Sequence, residues 1–331
     1  MPDFWSGKPV LVTGAGGFIA SHLVETLVTK GALVRAFVRY NSRNDPGLLA
    51  LLPKPVLEQV EIIPGDLRDY PAVLSVIRAN DIVFHLGALI AIPYSYRHPR
   101  EVVETNVIGT LNVLMAAYTN NVSRLIHTSS SEVYGTAQRV PIDESHPLQG
   151  QSPYAASKIG ADKLAESFYC SYNLPVVTLR PFNTYGPRQS ARAVTPTIIT
   201  QALTSDVVKL GNLDARRDLT YVADTVEGFL RIARVPGIEG NTYNLGSGSD
   251  IRIGDLAQMI IDLIGKPVEI TTDPKRIRPE KSEVQRLIAD PSSARAELGW
   301  EAQVALEDGL TKTIQWITSH IDRYRPEIYQ I

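Results

Sequence analysis

Through the first half of the chain, short apolar runs alternate with stretches whose apolar residues recur at helical spacing. Pro9-Val10-Leu11-Val12 is such a run, closed by Thr13-Gly14. A brief branched apolar run bounded by turn residues fits a strand buried on both faces. Leu23, Val24, Leu27 and Val28 then keep helical spacing, and Gly31 closes that helix. The same pattern predicts strands at Leu33 to Val38, Val60 to Ile63, Asp81 to Leu86, Leu125 to Thr128 and Val176 to Leu179. Helices are predicted between them, notably Val102 to Tyr118 and Tyr154 to Tyr172. Strands separated by helices imply an α/β chain with a parallel sheet covered on both faces. Right-handed crossovers make that sheet a Rossmann-type doubly wound one.

Beyond Arg180 the pattern loosens. Pro and Gly become frequent, and Asn183 to Asn212 mixes loop with one helical stretch. Asp255 to Ile264 and Leu306 to Ile321 read as helices. The expected organisation is a Rossmann-type domain over 1–180 and 218–248, and a smaller C-terminal domain over 181–217 and 249–331. The smaller part would pack beside the carboxyl edge of the sheet, where ligands of such folds bind.

Charge and composition narrow the function. The 33 Lys+Arg against 35 Asp+Glu leave a formal charge of −2, which argues against a broad nucleic-acid-binding surface. With 44% hydrophobic and 21% charged residues the chain can build a buried core. Cys170 is the only cysteine, so no intramolecular disulfide or cysteine-cluster metal site can form, and no metal is expected. No run of about 18 apolar residues occurs, so no spanning helix is expected. Met1-Pro2-Asp3-Phe4-Trp5-Ser6 lacks the basic stretch and apolar run of a secretory signal. A soluble, cytoplasmic protein without a membrane partner is the resulting expectation.

The first strand runs into Thr13-Gly14-Ala15-Gly16-Gly17-Phe18-Ile19-Ala20. Gly14, Gly16 and Gly17 let the backbone turn tightly and approach a pyrophosphate, while the helix opening at Phe18 and Ile19 offers unpaired N–H groups and a positive dipole end. A glycine turn can be purely structural, but a strand before it and a helix after it favour dinucleotide binding. Cofactor choice is set at the end of the second strand, where an acidic residue would bind the adenosine ribose and favour NAD. This chain reads Phe37-Val38-Arg39-Tyr40-Asn41-Ser42-Arg43 and has no carboxylate until Asp45. Arg39, Ser42 and Arg43 suit a 2′-phosphate, which tilts the expectation of NAD(P) toward NADP. Asp66 is placed to accept from the adenine amine, or else to cap the following helix. Leu67, Leu86 and Ala88 complete the expected lining.

Tyr154 and Lys158 lie four apart at a helix start, a spacing that puts both on one face. An ammonium beside a phenol favours the phenolate, so the pair predicts a lowered tyrosine pKa and a general base near neutral pH, able to deprotonate an alcohol. The fifth strand ends in Ser129-Ser130-Ser131-Glu132, and strand ends at the carboxyl edge face the crevice. Ser130 is placed to hydrogen-bond the hydroxyl that Tyr154 deprotonates, with Ser131 and Glu132 beside the substrate. The serines also fit a polar strand end capped by its own hydroxyls.

Together the Thr-Gly-x-x-Gly loop, Gly65-Asp66, the strand-end serines and Tyr-x-x-x-Lys resemble the extended short-chain dehydrogenase/reductase family, whose members act on nucleotide-diphosphate sugars. The likeness runs from about Lys8 to Asp290, and Ala20 stands where the family usually has its third glycine. Ser130-Ser131-Glu132 resembles the triplet of sugar 4,6-dehydratases, whose glutamate the 4-epimerases generally lack. Pro181 to Arg192 and Ala88 to Tyr96 look most like dehydratases of legionaminic-acid type, which act on a nucleotide-linked N-acetylglucosamine and are described as using NAD; the Arg39 segment instead resembles GDP-mannose 4,6-dehydratases, which favour NADP.

The resemblance implies that Asn183, Arg217 and Arg278 contact the nucleotide diphosphate, with Arg188 beside them, and that Tyr94 and Ser95 touch the hexose. Two phosphates need fixed donors, and arginine supplies two at once. It also implies a homodimer, paired through the helices Val102–Tyr118 and Tyr154–Tyr172. The implied activity is a nucleotide-sugar 4,6-dehydratase acting on UDP- or GDP-N-acetylglucosamine. A 4-epimerase, a sugar-acid decarboxylase and a non-catalytic dinucleotide sensor are the competing readings, since fold alone does not separate them.

Overall fold

The computed structural model describes residues 3–325. Met1 and Pro2, and 326–331 at the end of the second expected domain, lie outside the described residues. The central sheet contains β1 (Pro9–Thr13), β2 (Leu33–Arg39), β3 (Val60–Gly65), β4 (Ile82–His85), β5 (Arg124–Thr128), β6 (Val176–Pro181) and β7 (Thr242–Leu245). Their spatial order is β7-β6-β5-β4-β1-β2-β3 and every pairing is parallel. Strand order reverses between β1 and β4, which opens a crevice at their carboxyl ends. The predicted Rossmann-type sheet is therefore present, with a seventh strand the sequence reading misses. That strand is only four residues long and carries Asn244, whose buried amide accepts from the Tyr134 hydroxyl at 2.7 Å and donates to the Ile142 carbonyl at 3.0 Å.

Hydrophobic cores cover both faces of the sheet. On one face α1 (Phe18–Thr29) packs Leu23 and Leu27 with Trp5, Phe84, Phe229 and Trp300. On the other, Val73, Ile77, Val113, Ala117 and Phe168 meet Leu11, Val83 and Leu125. A third core joins the helices Val194–Thr204, Ile253–Ile264 and Leu306–Ser319 through Ile198, Leu256, Ile260, Leu310 and Ile317. The helices Ile253–Ile264 and Leu306–Ser319 each bury one face, whereas Val194–Thr204 is buried continuously from Thr195 to Ala202.

The helix predicted over Val102 to Tyr118 is broken into Pro99–Val103, a π-turn at Glu104–Ile108, and Gly109–Thr119. Asn106 sits in the π-turn, fully buried. Its side chain accepts from Leu89 N at 2.8 Å and donates to Leu89 O at 2.9 Å and to Ser157 Oγ at 2.9 Å. The widened turn aims this amide so that it ties the segment after β4 to the helix Pro153–Tyr172; such π-turns are frequent at functional sites.

Candidate active site

The turn after β1 leaves Gly14 at φ +66, and a Cβ there would lie 2.6 Å from Gly87 Cα. The segments after β1 and β4 thus meet glycine backbone against glycine backbone, and Thr13 Oγ1 joins them by accepting from Gly87 N at 3.1 Å. Gly17 caps α1 without a side-chain hydrogen bond, and no acidic residue occupies the first turn of that helix. Its leading N–H groups therefore face the crevice unsatisfied by any carboxylate, as a pyrophosphate requires. Gly14, Phe37, Val38, Arg39, Asp66, Leu67, Ala88 and Thr105 line a cleft running from this point between the ends of β2, β3 and β4. These residues fit a dinucleotide: a glycine cradle for phosphates, then a mostly apolar slot. Phe18, Ile19 and Leu86 are half-buried around its start.

The basic residues after β2 are not disposed as the sequence suggests. Arg39 pairs with Glu101 at 3.3 Å, so the guanidinium counted toward a 2′-phosphate already has a carboxylate. Ser42 and Arg43 are exposed and outside the cleft lining, in a turn built by Asn41 Oδ1, which accepts from the backbone of Arg43 and Asp45. The tilt toward NADP loses its main support. Asp66 lines the cleft and is gripped by Arg68 at 2.6 Å, which holds its carboxyl below the usual range. The helix cap is instead Asp69, which accepts from Ala72 N.

Ser152 Oγ accepts from Ala155 N at 3.1 Å and, with Pro153 behind it, starts the helix Pro153–Tyr172. Tyr154, Lys158 and Asp162 then fall on one buried face. The lowered phenol pKa expected for Tyr154 is not found. Burial pushes it up to about 12, a hydrogen bond from Ser130 opposes that, and Lys158 makes no resolved contribution. Desolvation disfavours the anion more than its neighbours favour it. Burial likewise pulls Lys158 down to about 8, against the attraction of Asp162. Asp162 accepts from His127 Nε2 at 3.0 Å, Ser129 Oγ at 2.8 Å and Arg180 Nη2 at 3.0 Å. Arg180 in turn donates to the Tyr134 hydroxyl at 2.9 Å. The sequence reading names none of His127, Ser129, Asp162 or Arg180 as site residues; the i, i+4, i+8 spacing from Tyr154 was the available signal for Asp162.

Ser130 caps a single turn, Ser131–Tyr134, by accepting from Glu132 N at 3.2 Å. The turn buries Ser131 and Val133 and leaves Glu132 half-buried. Glu132 acts electrostatically on both Tyr154 and Arg217, so its carboxylate is near both groups. Arg217 is buried and lies 3.5 Å from Glu283, whose carboxylate is 4.0 Å from Arg278. Asn183 Oδ1 and Arg278 Nη1 are buried without a hydrogen-bond partner. Unpaired buried polar atoms are costly, and these are the kind a ligand satisfies.

One expected hexose contact, Ser95, is corrected, and Tyr94 and Arg188 are already engaged by carboxylates. Ser95 is fully buried and donates to Ile92 O at 2.7 Å within its own helix, so it does not face the crevice. Tyr94 donates its hydroxyl to Glu101 at 2.5 Å. Arg188 has left-handed backbone (φ +69) and turns its guanidinium to Glu25 on α1, 2.5 Å away, where it braces the helix. Among the described residues no group of three or more His, Cys, Asp or Glu is placed to hold a metal ion, and no helix is long and apolar enough to cross a membrane.

A doubly wound sheet with an open helix N-terminus at its switch point, and a Tyr-x-x-x-Lys pair at the carboxyl edge, defines a short-chain dehydrogenase/reductase. The chain belongs to the GDP-mannose 4,6 dehydratase family, whose model matches residues 11–313. It is 30% identical to the dTDP-glucose 4,6-dehydratase of an Actinoplanes strain over 316 residues, covering 93% of this chain and 97% of that one. It is 33% identical to the UDP-glucose 4-epimerase of Mycolicibacterium smegmatis, covering 92% and 97%. Its fold matches the crystal structure of DesIV, a dTDP-glucose 4,6-dehydratase of Streptomyces venezuelae solved with NAD bound, at a TM-score of 0.84 and 29% identity over 96% of this chain and 99% of that one. The extended short-chain assignment and the nicotinamide dinucleotide expected from the sequence both hold.

Proposed function

We propose that the protein is a 4,6-dehydratase that converts UDP- or GDP-N-acetylglucosamine to its 4-keto-6-deoxy derivative, as a cytoplasmic homodimer. The carrying observation is Glu132, a carboxylate on the turn next to Tyr154 that a 4-epimerase would not need. A nicotinamide bound along the cleft supplies the hydride acceptor and donor. Tyr154, whose anion the positive charge of an oxidised nicotinamide beside it would favour against burial, takes the proton of the C4 hydroxyl as C4 is oxidised and later releases it to solvent, and Ser130 fixes that hydroxyl. The 4-ketone acidifies the C5 proton, because the carbanion formed is an enolate. Glu132 removes it and delivers it to the C6 hydroxyl, which leaves as water. Ser131 occupies the place where many relatives carry an acidic residue, and a serine hydroxyl is too weak an acid for that step. After hydride returns to C6, Glu132 hands C5 a proton drawn from solvent. Asn183, Arg217 and Arg278 hold the diphosphate, whose oxygens displace Glu283 from the arginines. The N-acetyl sugar is supported by the likeness of Pro181–Arg192 and Ala88–Tyr96 to legionaminic-type enzymes.

The dimer reading is supported by Ile108, Met115, Tyr118, Tyr169 and Tyr172, all exposed on the two helices expected to pair, with Tyr118 and Tyr172 rings 5.3 Å apart. Light scattering should read twice the chain mass; a monomer at micromolar concentration refutes it.

The activity test offers both nucleotide sugars in heavy water. Loss of the C6 oxygen with deuterium at C5 is expected. Inversion at C4 without water loss would instead make the protein an epimerase, and carbon dioxide from a glucuronate substrate a decarboxylase. Tight dinucleotide binding without turnover would make it a sensor. Glu132→Gln should stop water loss while the first hydride transfer stays visible as nicotinamide absorbance. Normal dehydration by that variant removes Glu132 from the mechanism.

A further inference from the structure

Glu101 is committed at both oxygens. Oε1 faces Arg39 Nη2 at 3.3 Å and Oε2 accepts from the Tyr94 hydroxyl at 2.5 Å. The carboxylate comes from the short helix Pro99–Val103, on the segment after β4, whereas Arg39 ends β2. The contact therefore bridges two sides of the cleft that the dinucleotide reading assigns to adenosine. Arg39 and Asp66 both line that cleft. Arg39 acts electrostatically on Asp66 as well as on Glu101. Arg68 is likewise taken, by Asp66 at 2.6 Å and Glu104 at 3.9 Å. Counting Arg100, which pairs with Glu104 at 2.7 Å, three guanidinium groups meet three carboxylates, so the positive charge at this end of the cleft is matched before any ligand arrives.

We infer that Glu101 is a specificity-determining residue that selects NAD over NADP, doing from across the cleft what an acidic residue at the end of the second strand does in other dinucleotide folds. A 2′-phosphate brings nearly two negative charges. A 2′-phosphate that binds Arg39 comes to lie beside Glu101, a like-charge contact at a place where the Arg39 side chain is 66% exposed and the Glu101 side chain 27%. A 2′-hydroxyl carries no such cost and can donate to a carboxylate. Tyr94 sharpens the effect by holding Glu101 in place, since a tethered carboxylate cannot swing away to make room. The sequence hides this, because Arg39 and Glu101 lie 62 positions apart.

The inference rests on the cleft being a dinucleotide site, and the test separates the two. Protein stripped of cofactor is titrated calorimetrically with NAD+ and with NADP+. The wild type should bind NAD+ more tightly. Glu101→Gln keeps the shape and Tyr94 contact but frees Arg39, and should move the ratio of dissociation constants toward NADP+ by about tenfold or more. Glu104→Gln removes a nearby charge that is paired with Arg68 and Arg100 rather than Arg39, and should leave the ratio within about twofold. Adding Arg39→Gln to Glu101→Gln should cancel the gain. An unchanged ratio in Glu101→Gln, an equal shift in Glu104→Gln, or a gain that survives loss of Arg39 overturns the role of Glu101. Failure of the wild type to bind either dinucleotide overturns the reading of the cleft itself.

Discussion

Asp162 lies one helical turn beyond Lys158, and its charge is what holds the buried ammonium up against desolvation. The carboxylate itself is kept ionised, its pKa below the usual value, by His127, Arg180 and Lys158 despite full burial. His127 is neutral there, since burial lowers its pKa. Its Nε2 must then carry the proton, because an ionised carboxylate only accepts.

Asp162→Asn tests this arrangement. The amide keeps the volume but withdraws the negative charge from Arg180, leaving a buried guanidinium with neutral partners only. Removing one partner of a buried ion pair costs about 3–5 kcal/mol, because the remaining charge stays out of water. Denaturant unfolding should show a loss of that order. Lys158 should titrate still lower than about 8, measurable by NMR of isotope-labelled lysine. An unaltered midpoint, or a Lys158 that titrates higher, refutes the coupling.

A stability difference that varies with pH follows from the same lysine. Its folded pKa, about 8, is below the reference value of 10.5, so the unfolded chain binds more protons between those values. Stability contributed at this site therefore rises with pH across that window, and below pH 8 the charged lysine is a fixed cost. Lys158→Met removes the cost. The variant should be more stable than the wild type at pH 7 by on the order of 3 kcal/mol, and the gap should close as pH rises from 8 to 10.5. Tyr154 works in the opposite sense. Its pKa is raised to about 12, so the folded state keeps its proton longer and stability from that group falls with pH above 10. A gap between variant and wild type that stays constant from pH 7 to 10.5 would mean Lys158 is not the group responsible.

Six strands of the sheet, the glycine turn and the Tyr154/Lys158 pair were legible because each depends on neighbours close in sequence. Branched apolar runs announce buried strands, and four-residue spacing announces one helix face. What was not legible depends on residues far apart. The phenol of Tyr154 looked activated by Lys158 because spacing shows adjacency and not desolvation. Arg39 looked free because Glu101 comes from a different crossover. Arg188 looked uncommitted because its partner Glu25 lies 163 positions away. The π-turn around Asn106 escaped because periodicity over Val102–Tyr118 is only slightly disturbed by one widened turn. β7 escaped because Thr-Tyr-Asn-Leu carries no run to detect.

The glycine turn after β1 does two jobs that substitution should separate. Gly14 has φ +66, where an L side chain is strained, and a Cβ would also press on Gly87 Cα at 2.6 Å and Gly87 N at 2.8 Å. Backbone cannot move aside there without parting the ends of β1 and β4, which are in parallel register from Val10↔Ile82 to Thr13↔His85. Gly17 has an ordinary φ of −82, and a Cβ would meet only Gly14 O at 3.1 Å. Gly14→Ala should therefore lower the unfolding free energy by about 2 kcal/mol or more. Gly17→Ala should cost less than about 1 kcal/mol. Both glycines belong to the turn whose backbone N–H groups a pyrophosphate would approach, so both substitutions should weaken dinucleotide binding in calorimetry. Loss of binding in Gly17→Ala with its stability retained would place the defect in the anion cradle. Equal destabilisation by the two substitutions would show instead that strain at Gly14 is not what fixes the turn.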